Sequence, residues 1–432
     1  MKRKSTLKTI KLLRKQLLLT AVCVACSTFC FSQIEVTGGP YYLDHSVCEM
    51  PKVFDINNEQ ISIPSALNVF GEARGALCST INVIYNGFDS NPQAQAAFQY
   101  AVDIWAQTLT SSVPITINAN FTDALPSGTL GSAGPTGFFS LSGGLANTVY
   151  PRALAEKITG AEIGGANSID ISCNFNSQVN WYYGTNANPP NSQFDFVSVV
   201  LHELGHGLGF LGFGTISNGE GTILNSGSLS PYDNYTETGS GNALTIFPNN
   251  SGFLADALRS GDLFINSPLA TAANGGVKPQ IWAPSTFNGG SSYSHWDNNV
   301  FPNSNVNSLM TPSIGNGQAN HNTGPITRAL FEEFGWTVCN SLSVAESTLE
   351  SLSVSPNPFN DAIRITLPNN LSDRDFNISI FDINGRIVFE KQTNSTNNMI
   401  DLDISQLKTS MYFMQVEDAA SGVSITKKIV KQ

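Results

Sequence analysis

Residues 202–206 combine two histidines and a glutamate in the order H-E-x-x-H. On an α-helix, positions four apart share one face, so His202 and His206 can direct their imidazole nitrogens at one ion. Zinc prefers nitrogen ligands in this kind of tetrahedral arrangement. Glu203 points away from the ligand direction but stays close enough to take a proton from a water that the metal activates. The motif therefore predicts metal-dependent hydrolysis with Glu203 as the general base.

Apolar residues surround the motif, which argues against a solvated helix face. They are Val199, Val200, Leu201, Leu204, Leu208 and Phe210. Two histidines and a carboxylate buried among such residues would be costly unless they bind something. This favours a metal site.

A catalytic zinc site needs a third protein ligand. Gly209 follows His206 by three residues and permits a sharp turn that lets the chain swing back beneath the metal. Together these residues read H-E-x-x-H-x-x-G, a motif that commonly has a third histidine three residues after the glycine. Here that position is Gly212. Of the five histidines in the chain, His295 is the best remaining candidate, and His321 is interpreted as a bystander or a substrate-side residue.

The segment "SYSHWDNNVFPNSNVNSLMTP" (292–312) contains both His295 and Met310. Taken in order, H-E-x-x-H-x-x-G, S-H-W and L-M resemble the leishmanolysin-like branch of the metzincin zinc peptidases, over roughly residues 80–339. In that branch a long insertion precedes the third histidine. The resemblance implies zinc held by His202, His206 and His295, Glu203 as general base, a turn at Gly209 and a Met-turn at Met310. The cysteine pattern of that family does not carry over.

Two alternatives stay open at this stage. One is a thermolysin-like peptidase in which a downstream glutamate, such as Glu220 or Glu237, is the third ligand. The other is a surface adhesin or binding protein with a structural metal. For the peptidase we expect protein or peptide substrates, and activity that falls in acid from about pH 5–6 as the ligands protonate. Loops rich in Asp and Asn leave structural Ca²⁺ open, although none has an EF-hand pattern.

The elements around the motif predict an α/β (α+β) catalytic domain with a mixed sheet and an active-site helix. Strands are expected at 80–88, 113–121 and 167–175, with a helix at 91–109 between the first two. The edge of the 167–175 strand could bind an extended peptide. Asp195 is expected to cap the histidine-bearing helix rather than act in catalysis. Residues 213–290 form a long insertion, and 323–336 a last helix.

The N-terminus has the features of a secretory signal peptide. Residues 1–32 contain seven of the 22 Lys and Arg residues and a short apolar run, with cleavage expected after Ser32. Its removal leaves 15 basic residues against 33 acidic ones, a net charge of −18. Nucleic acid and anionic membrane surfaces are therefore poor partners, and no membrane span is expected in the mature chain. Residues 33–78 form a leader segment of unknown role.

Four cysteines remain after the signal peptide: Cys48, Cys78, Cys173 and Cys339. In an exported protein they are expected to form two disulfides. Cys48 also invites a weaker hypothesis, that a leader thiolate occupies the open metal position and keeps a proenzyme inactive.

The last part of the chain changes to short alternating strands after a linker at 340–349. Asn384-Gly385 predicts a hairpin turn between two of them, and residues 350–432 are expected to form a small all-β sandwich. The motifs "SVSPNPFNDAIRITLP", "SIFDINGRIV" and "MYFMQVED" resemble the type A sorting domain of type IX secretion substrates. The resemblance implies recognition by that machinery and export across the outer membrane of a Gram-negative bacterium, to the medium or the cell surface. The metzincin-like domain itself is assigned to 79–339.

Overall fold

The computed structural model describes residues 34–43, 49–53, 60–65, 77–166, 168–339, 352–367, 374–383, 385–419 and 424–432. The chain divides into two compact units, Met1–Cys339 and Asn340–Gln432. The predicted signal peptide, the linker 340–349, His45 and Cys48 lie outside the described residues. Within those residues, no helix is both long enough and apolar enough to cross a membrane.

Six α-helices of the first unit are described. They are α1 (Pro92–Thr108), α2 (Arg152–Thr159), α3 (Phe196–Leu208), α4 (Gly252–Leu258), α5 (Pro268–Ala273) and α6 (Pro325–Phe334). Short 3-10 helices occupy Asp233–Tyr235, Leu244–Ile246 and Ser308–Met310. The predicted helices at 91–109 and 323–336 are confirmed as α1 and α6.

The described strands of the first unit are short. In chain order they are β1 (Val36–Tyr41), β2 (Glu49–Val53), β3 (Ile61–Ile63), β4 (Ile81–Asn86), β5 (Leu109–Thr110), β6 (Ile115–Thr122), β7 (Thr129–Pro135), β8 (Phe138–Leu141), β9 (Val149–Pro151), β10 (Ile171–Asn176), β11 (Trp181–Tyr182), β12 (Phe194–Asp195), β13 (Thr215–Ser217), β14 (Glu220–Thr222), β15 (Thr236–Thr238), β16 (Leu263–Ile265), β17 (Gln280–Ile281), β18 (Ile314–Gly315), β19 (Gln318–Asn320) and β20 (Thr337–Val338).

The main sheet of this unit has six strands in the order β18-β2-β7-β10-β6-β4. Strands β4, β6 and β10 run parallel, and β7 is antiparallel to β10. Helix α3 packs against β7 and β10 and against α1. The Trp105 indole of α1 donates a hydrogen bond to the Leu201 carbonyl (3.0 Å), which ties the two helices together. The main sheet and α1 therefore enclose α3 in the interior of the first unit.

Strand β10 corrects one expectation from the sequence. Its side chains alternate as predicted, with Ile171, Cys173 and Phe175 buried. However, β10 lies between β6 and β7 and is paired on both sides. The prediction that its edge binds an extended peptide is therefore wrong, because no backbone donors or acceptors remain free along a central strand.

The leader and the insertion are both part of the first unit. Leader strand β1 pairs with β8, β2 with β7 and β18, and β3 with β19. Within the insertion, strands β13 to β17 and helices α4 and α5 replace the irregular region that the composition suggested. Tyr232, Leu254 and Ile281 are buried in the same core as α1 and α3.

The structure contains one disulfide among the described cysteines, between Cys78 and Cys339, with Cα atoms 5.9 Å apart. Cys173 is free and buried in the centre of the main sheet. The expectation of two disulfides is therefore wrong at Cys173, which behaves as a small core residue on β10.

The second unit is a β-sandwich. Its strands are β21 (Ser353–Ser355), β22 (Ala362–Thr366), β23 (Asp375–Phe381), β24 (Ile387–Asn394), β25 (Met399–Asp403), β26 (Ser410–Asp418) and β27 (Ser424–Lys431). They form a three-stranded sheet, β21-β22-β25, and a four-stranded sheet, β24-β23-β26-β27. Alternate side chains from both sheets, such as Ile365 and Met414, share one core. The predicted hairpin joins β23 to β24, with Gly385 at φ +79°; Asn384 lies outside the described residues.

Candidate metal centre

Helix α3 begins as the sequence predicted, at an Asp195 cap. The Asp195 carboxylate accepts hydrogen bonds from the Ser198 amide (2.8 Å) and the Ser198 hydroxyl (2.7 Å). This satisfies amide donors that a helix start leaves free. The helix is buried along its whole length, so His202, Glu203 and His206 lie inside the unit and not on a solvated face.

The turn after α3 depends on Gly209. This residue has φ +120°, which side-chain-bearing residues rarely adopt. Its amide bonds to the Gly205 and His206 carbonyls and ends the helix. The turn brings the Phe210 carbonyl to 2.7 Å from Nδ1 of His206. Gly209 therefore ends the helix and allows the turn that places the Phe210 carbonyl beside His206.

His295 lies in the metal centre although it is 89 residues from His206 in the chain. The Gly212 amide donates to the Ser294 hydroxyl (3.0 Å), so the chain leaving α3 contacts the segment that contains His295. A side chain at position 212 is excluded, because even a Cβ atom would lie 2.3 Å from the Tyr293 ring. Position 212 is thus packed against the segment that carries His295.

The three imidazoles point their Nε2 atoms at one point. The Nε2 separations are 3.0 Å for His202–His206 and 3.2 Å for both pairs that include His295. Each Nδ1 faces a backbone carbonyl at 2.6–2.7 Å: Leu309 for His202, Phe210 for His206 and Ser291 for His295. A carbonyl oxygen only accepts, so each Nδ1 carries the proton and each Nε2 offers a lone pair.

This arrangement fits zinc. Zn–N distances of about 2.0–2.1 Å in a tetrahedral site place two ligand nitrogens about 3.3 Å apart, close to the observed separations. Three protein ligands leave a fourth position, as catalytic zinc sites require. Within the described part of the chain, these histidines are the only group of three or more His, Cys, Asp or Glu side chains placed to share an ion. Among those residues, no acidic cluster points to the structural Ca²⁺ that the Asp- and Asn-rich loops left open.

Burial keeps the ligands neutral. All three histidines are 0% exposed, and burial lowers the pKa of His202 and His295 well below the ordinary value, with neighbouring histidines adding to the effect. Burial lowers the pKa of His206 to about 4. The sequence-based expectation of proton competition from about pH 5–6 assumed ordinary histidines. Burial therefore shifts the expected competition to lower pH than ordinary histidines would give.

Glu203 and Met310 lie on two sides of α3. Glu203 is fully buried and close to Cys173, whose pKa is raised by burial and by the Glu203 charge. Met310 ends a 3-10 turn, and its sulfur would lie 2.7 Å from a Cβ placed at Gly205. Glycine at 205 therefore allows the methionine turn to approach the histidine-bearing helix, and the adjacent Leu309 carbonyl orients His202.

Sequence reasoning missed the buried contacts that fix the start of α3. His321, interpreted as a bystander, is fully buried, and its Nε2 lies 2.8 Å from Asp195 Oδ1. The neighbouring Asn320 amide donates to the Ser198 hydroxyl (2.8 Å). Strand β19 is thereby fixed to the start of α3. A buried histidine beside a helix cap has no local sequence signal, so only tertiary contacts could reveal it.

The glutamates considered as alternative third ligands lie elsewhere. Glu237 forms an ion pair with Lys278. Glu220 is exposed on the β13–β14 hairpin. Neither belongs to the histidine cluster.

Two family models match parts of the chain. Residues 353–432 match the secretion system C-terminal sorting domain, and residues 86–215 match a family described as SPBPB7E8-like. The second range includes His202, Glu203 and His206, and its description names no activity. No curated protein matches the chain. The first match shows that the chain ends in a type IX secretion sorting domain and is exported by that system to the cell surface or beyond.

Three solved structures show weak likeness to parts of the chain. PorZ of Porphyromonas gingivalis, described as an essential surface component of the type IX secretion system, is 21% identical over 23% of this chain and 14% of its own, with a TM-score of 0.17. A DUF3244 family protein with an immunoglobulin-like β-sandwich from Bacteroides vulgatus is 18% identical over 19% of this chain and 83% of its own, with a TM-score of 0.16. Dimeric latent PorU of P. gingivalis is 19% identical over 18% and 9%, TM-score 0.16.

Proposed function

We propose that this chain is an exported zinc endopeptidase of the leishmanolysin-like metzincin type, with a type A sorting domain. The observation that carries the proposal is the convergence of three Nε2 lone pairs within 3.2 Å, two from α3 and one from beyond the insertion. Each ligand is held in the metal-binding tautomer by a carbonyl oxygen. A structural role alone does not explain why Glu203 follows the first ligand in a fully buried site.

We assign one role to each side chain of the centre. Zinc, when bound, supplies Lewis-acid chemistry that activates a water and polarises a carbonyl. His202, His206 and His295 hold the ion through Nε2. Glu203 takes a proton from the attacking water and then gives it to the leaving nitrogen as the peptide bond breaks. Met310 supports the ligand-bearing helix from below.

The test is proteolysis by the purified mature chain, with casein or gelatin as substrate. We expect hydrolysis that a chelator abolishes and zinc restores. Glu203→Gln should keep the zinc, because it leaves all three ligands in place, while hydrolysis falls by about 10²–10⁴-fold, as expected when a general base is lost. Equal, absent hydrolysis in the wild type, the variant and the chelated chain would instead favour the adhesin with a structural metal.

A further inference from the structure

A fully buried carboxylate links two segments of the metal centre. Asp233 belongs to the 213–290 insertion and is 0% exposed. Its carboxylate accepts hydrogen bonds from the Phe213 amide (3.0 Å), on the chain that leaves α3, and from the Tyr293 hydroxyl (2.9 Å), two residues before His295. It also accepts from the Ser230 amide and hydroxyl, both at 2.8 Å. Four neutral donors thus stabilise the carboxylate and fix its position.

Tyr293 has an unusual backbone conformation and is held at both ends. Its φ of +75° lies in the left-handed region, which residues with a large side chain rarely adopt. The hydroxyl bonds to Asp233 and lies 3.0 Å from the Thr236 hydroxyl. The carbonyl accepts from the Tyr232 hydroxyl, and the amide donates to the Trp282 carbonyl, both at 2.8 Å. Such a conformation persists only where surrounding contacts hold it, and all of these contacts come from the insertion.

The Tyr293 backbone decides whether His295 is oriented for the metal. Nδ1 of His295 lies 2.6 Å from the Ser291 carbonyl, four residues back, and Tyr293 is the midpoint of this turn. An extended backbone at the midpoint would move residues 291 and 295 apart, because an extended chain rises about 3.3 Å per residue. The Ser291 carbonyl would then no longer fix the proton on Nδ1, and the ring would be free to turn its Nε2 away from the ion.

The Tyr293 ring also packs against the chain that leaves α3. Cβ atoms placed at Gly212 and Gly214 would lie 2.3 and 2.4 Å from ring carbons, so the ring contacts the backbone of both glycines. Asp233 holds the far end of this ring and bonds the Phe213 amide between the two glycines. One carboxylate therefore fixes the chain that leaves α3 and the segment that carries the third ligand relative to each other.

We propose that Asp233 is a positioning residue of the metal centre, which acts through Tyr293 to fix His295 opposite α3. This rests on the zinc centre of the proposed function. The insertion then has a defined role, since its folding adds the third ligand to the two that α3 carries. Groups that orient metal ligands from behind change metal affinity by about 10–100-fold when they are lost. Removing the Tyr293 hydroxyl should therefore weaken zinc binding about tenfold, and removing the Asp233 carboxylate about 100-fold.

The test measures zinc affinity by competition with a chromophoric chelator, and the visible spectrum of the Co²⁺-loaded chain, on folded full-length variants. Tyr293→Phe and Asp233→Ala should bind zinc more weakly, as above, and change the Co²⁺ spectrum. Asp233→Asn keeps one acceptor oxygen and should lose less than Asp233→Ala. Tyr150→Phe is the matched control, because this buried tyrosine loses a similar hydrogen bond, from the Leu145 amide (2.9 Å), that involves none of the groups orienting the ligands. Equal zinc affinity and spectra in all these chains would overturn the proposal.

A double variant shows whether Asp233 acts through Tyr293. If it does, Asp233→Ala/Tyr293→Phe should bind zinc within about twofold of Asp233→Ala alone, because the hydroxyl has already lost its partner. Losses that multiply would mean that the two side chains act separately, which contradicts the proposal. A purely structural role would lower Tm in these variants and leave the zinc affinity of the folded chain unchanged.

The wild type provides a second measurement should Asp233→Ala not fold. Zinc loading should slow hydrogen exchange of the Phe213 amide about tenfold more than that of the Leu145 amide, because coupling between the Asp233 contacts and the metal centre is reciprocal. Equal slowing of the two amides would count against the proposal. These readouts need no hydrolysis. If zinc binding changes as expected but no chain cleaves casein, only the peptidase proposal fails; if the wild type cleaves casein and all variants bind zinc equally, only this inference fails.

Discussion

Replacing His295 by alanine tests the central feature of the metal centre. Structural zinc sites bind with about 10–16 kcal/mol from four ligands, or roughly 2.5–4 kcal/mol per ligand. His295 is one of the three proposed ligands among the described residues, and its Nε2 lies 3.2 Å from the Nε2 atoms of His202 and His206. Its loss should therefore weaken zinc binding by about 10²–10³-fold.

The assay is zinc affinity by competition with a chromophoric chelator at pH 7.5, on chains whose thermal unfolding confirms a folded first unit. Glu237→Ala is the matched control, because it removes the glutamate of the thermolysin-like alternative and only breaks the Lys278 ion pair. We expect that control to bind zinc as the wild type does. If Glu237→Ala lost zinc while His295→Ala kept it, the three-histidine centre would be refuted.

Three further changes test the elements around the site. Gly209→Ala places a Cβ at φ +120° and 3.1 Å from Pro151, so we expect a loss of about 1–3 kcal/mol in unfolding free energy, read by denaturant titration. The double variant Cys78→Ser/Cys339→Ser removes a disulfide that closes a loop across 261 residues. It should lower the free energy of unfolding by up to about 5 kcal/mol, because the unfolded chain gains entropy. The readout is a lower Tm, which reductant should not lower further. Burial beside Asp170 raises the pKa of Glu156 to about 8 from 4.5, so its contribution to stability is present below pH 4.5 and is lost as pH rises through 8. Glu156→Gln should therefore flatten the fall in Tm between about pH 4.5 and 8, and an unchanged slope would contradict the raised pKa of Glu156.

Local patterns were enough to predict the elements that carry the first two ligands. Apolar spacing and an aspartate cap placed α3 correctly, since both act within one or two helical turns. The alternating strands of the second unit were equally readable. Predictions failed where pairing partners decide the outcome. Strand β10 is central because β7 pairs with the edge opposite β6. Cys173 is buried there without a disulfide partner.

By itself, the sequence determined which side chains could bind a metal ion and take a proton from a water, because His202, Glu203 and His206 share one helix and Gly209 ends it. It also marked the exported tail by an ordered set of motifs, later matched over 353–432. Only the tertiary structure decided that His295 lies beside His202 and His206. This requires residues 213–290 to fold into the core, so that Ser294 comes back to contact Gly212. The same holds for leader strand β2, which pairs with β7 and β18. Convergence over such separations depends on packing between distant segments, and no local spacing encodes it.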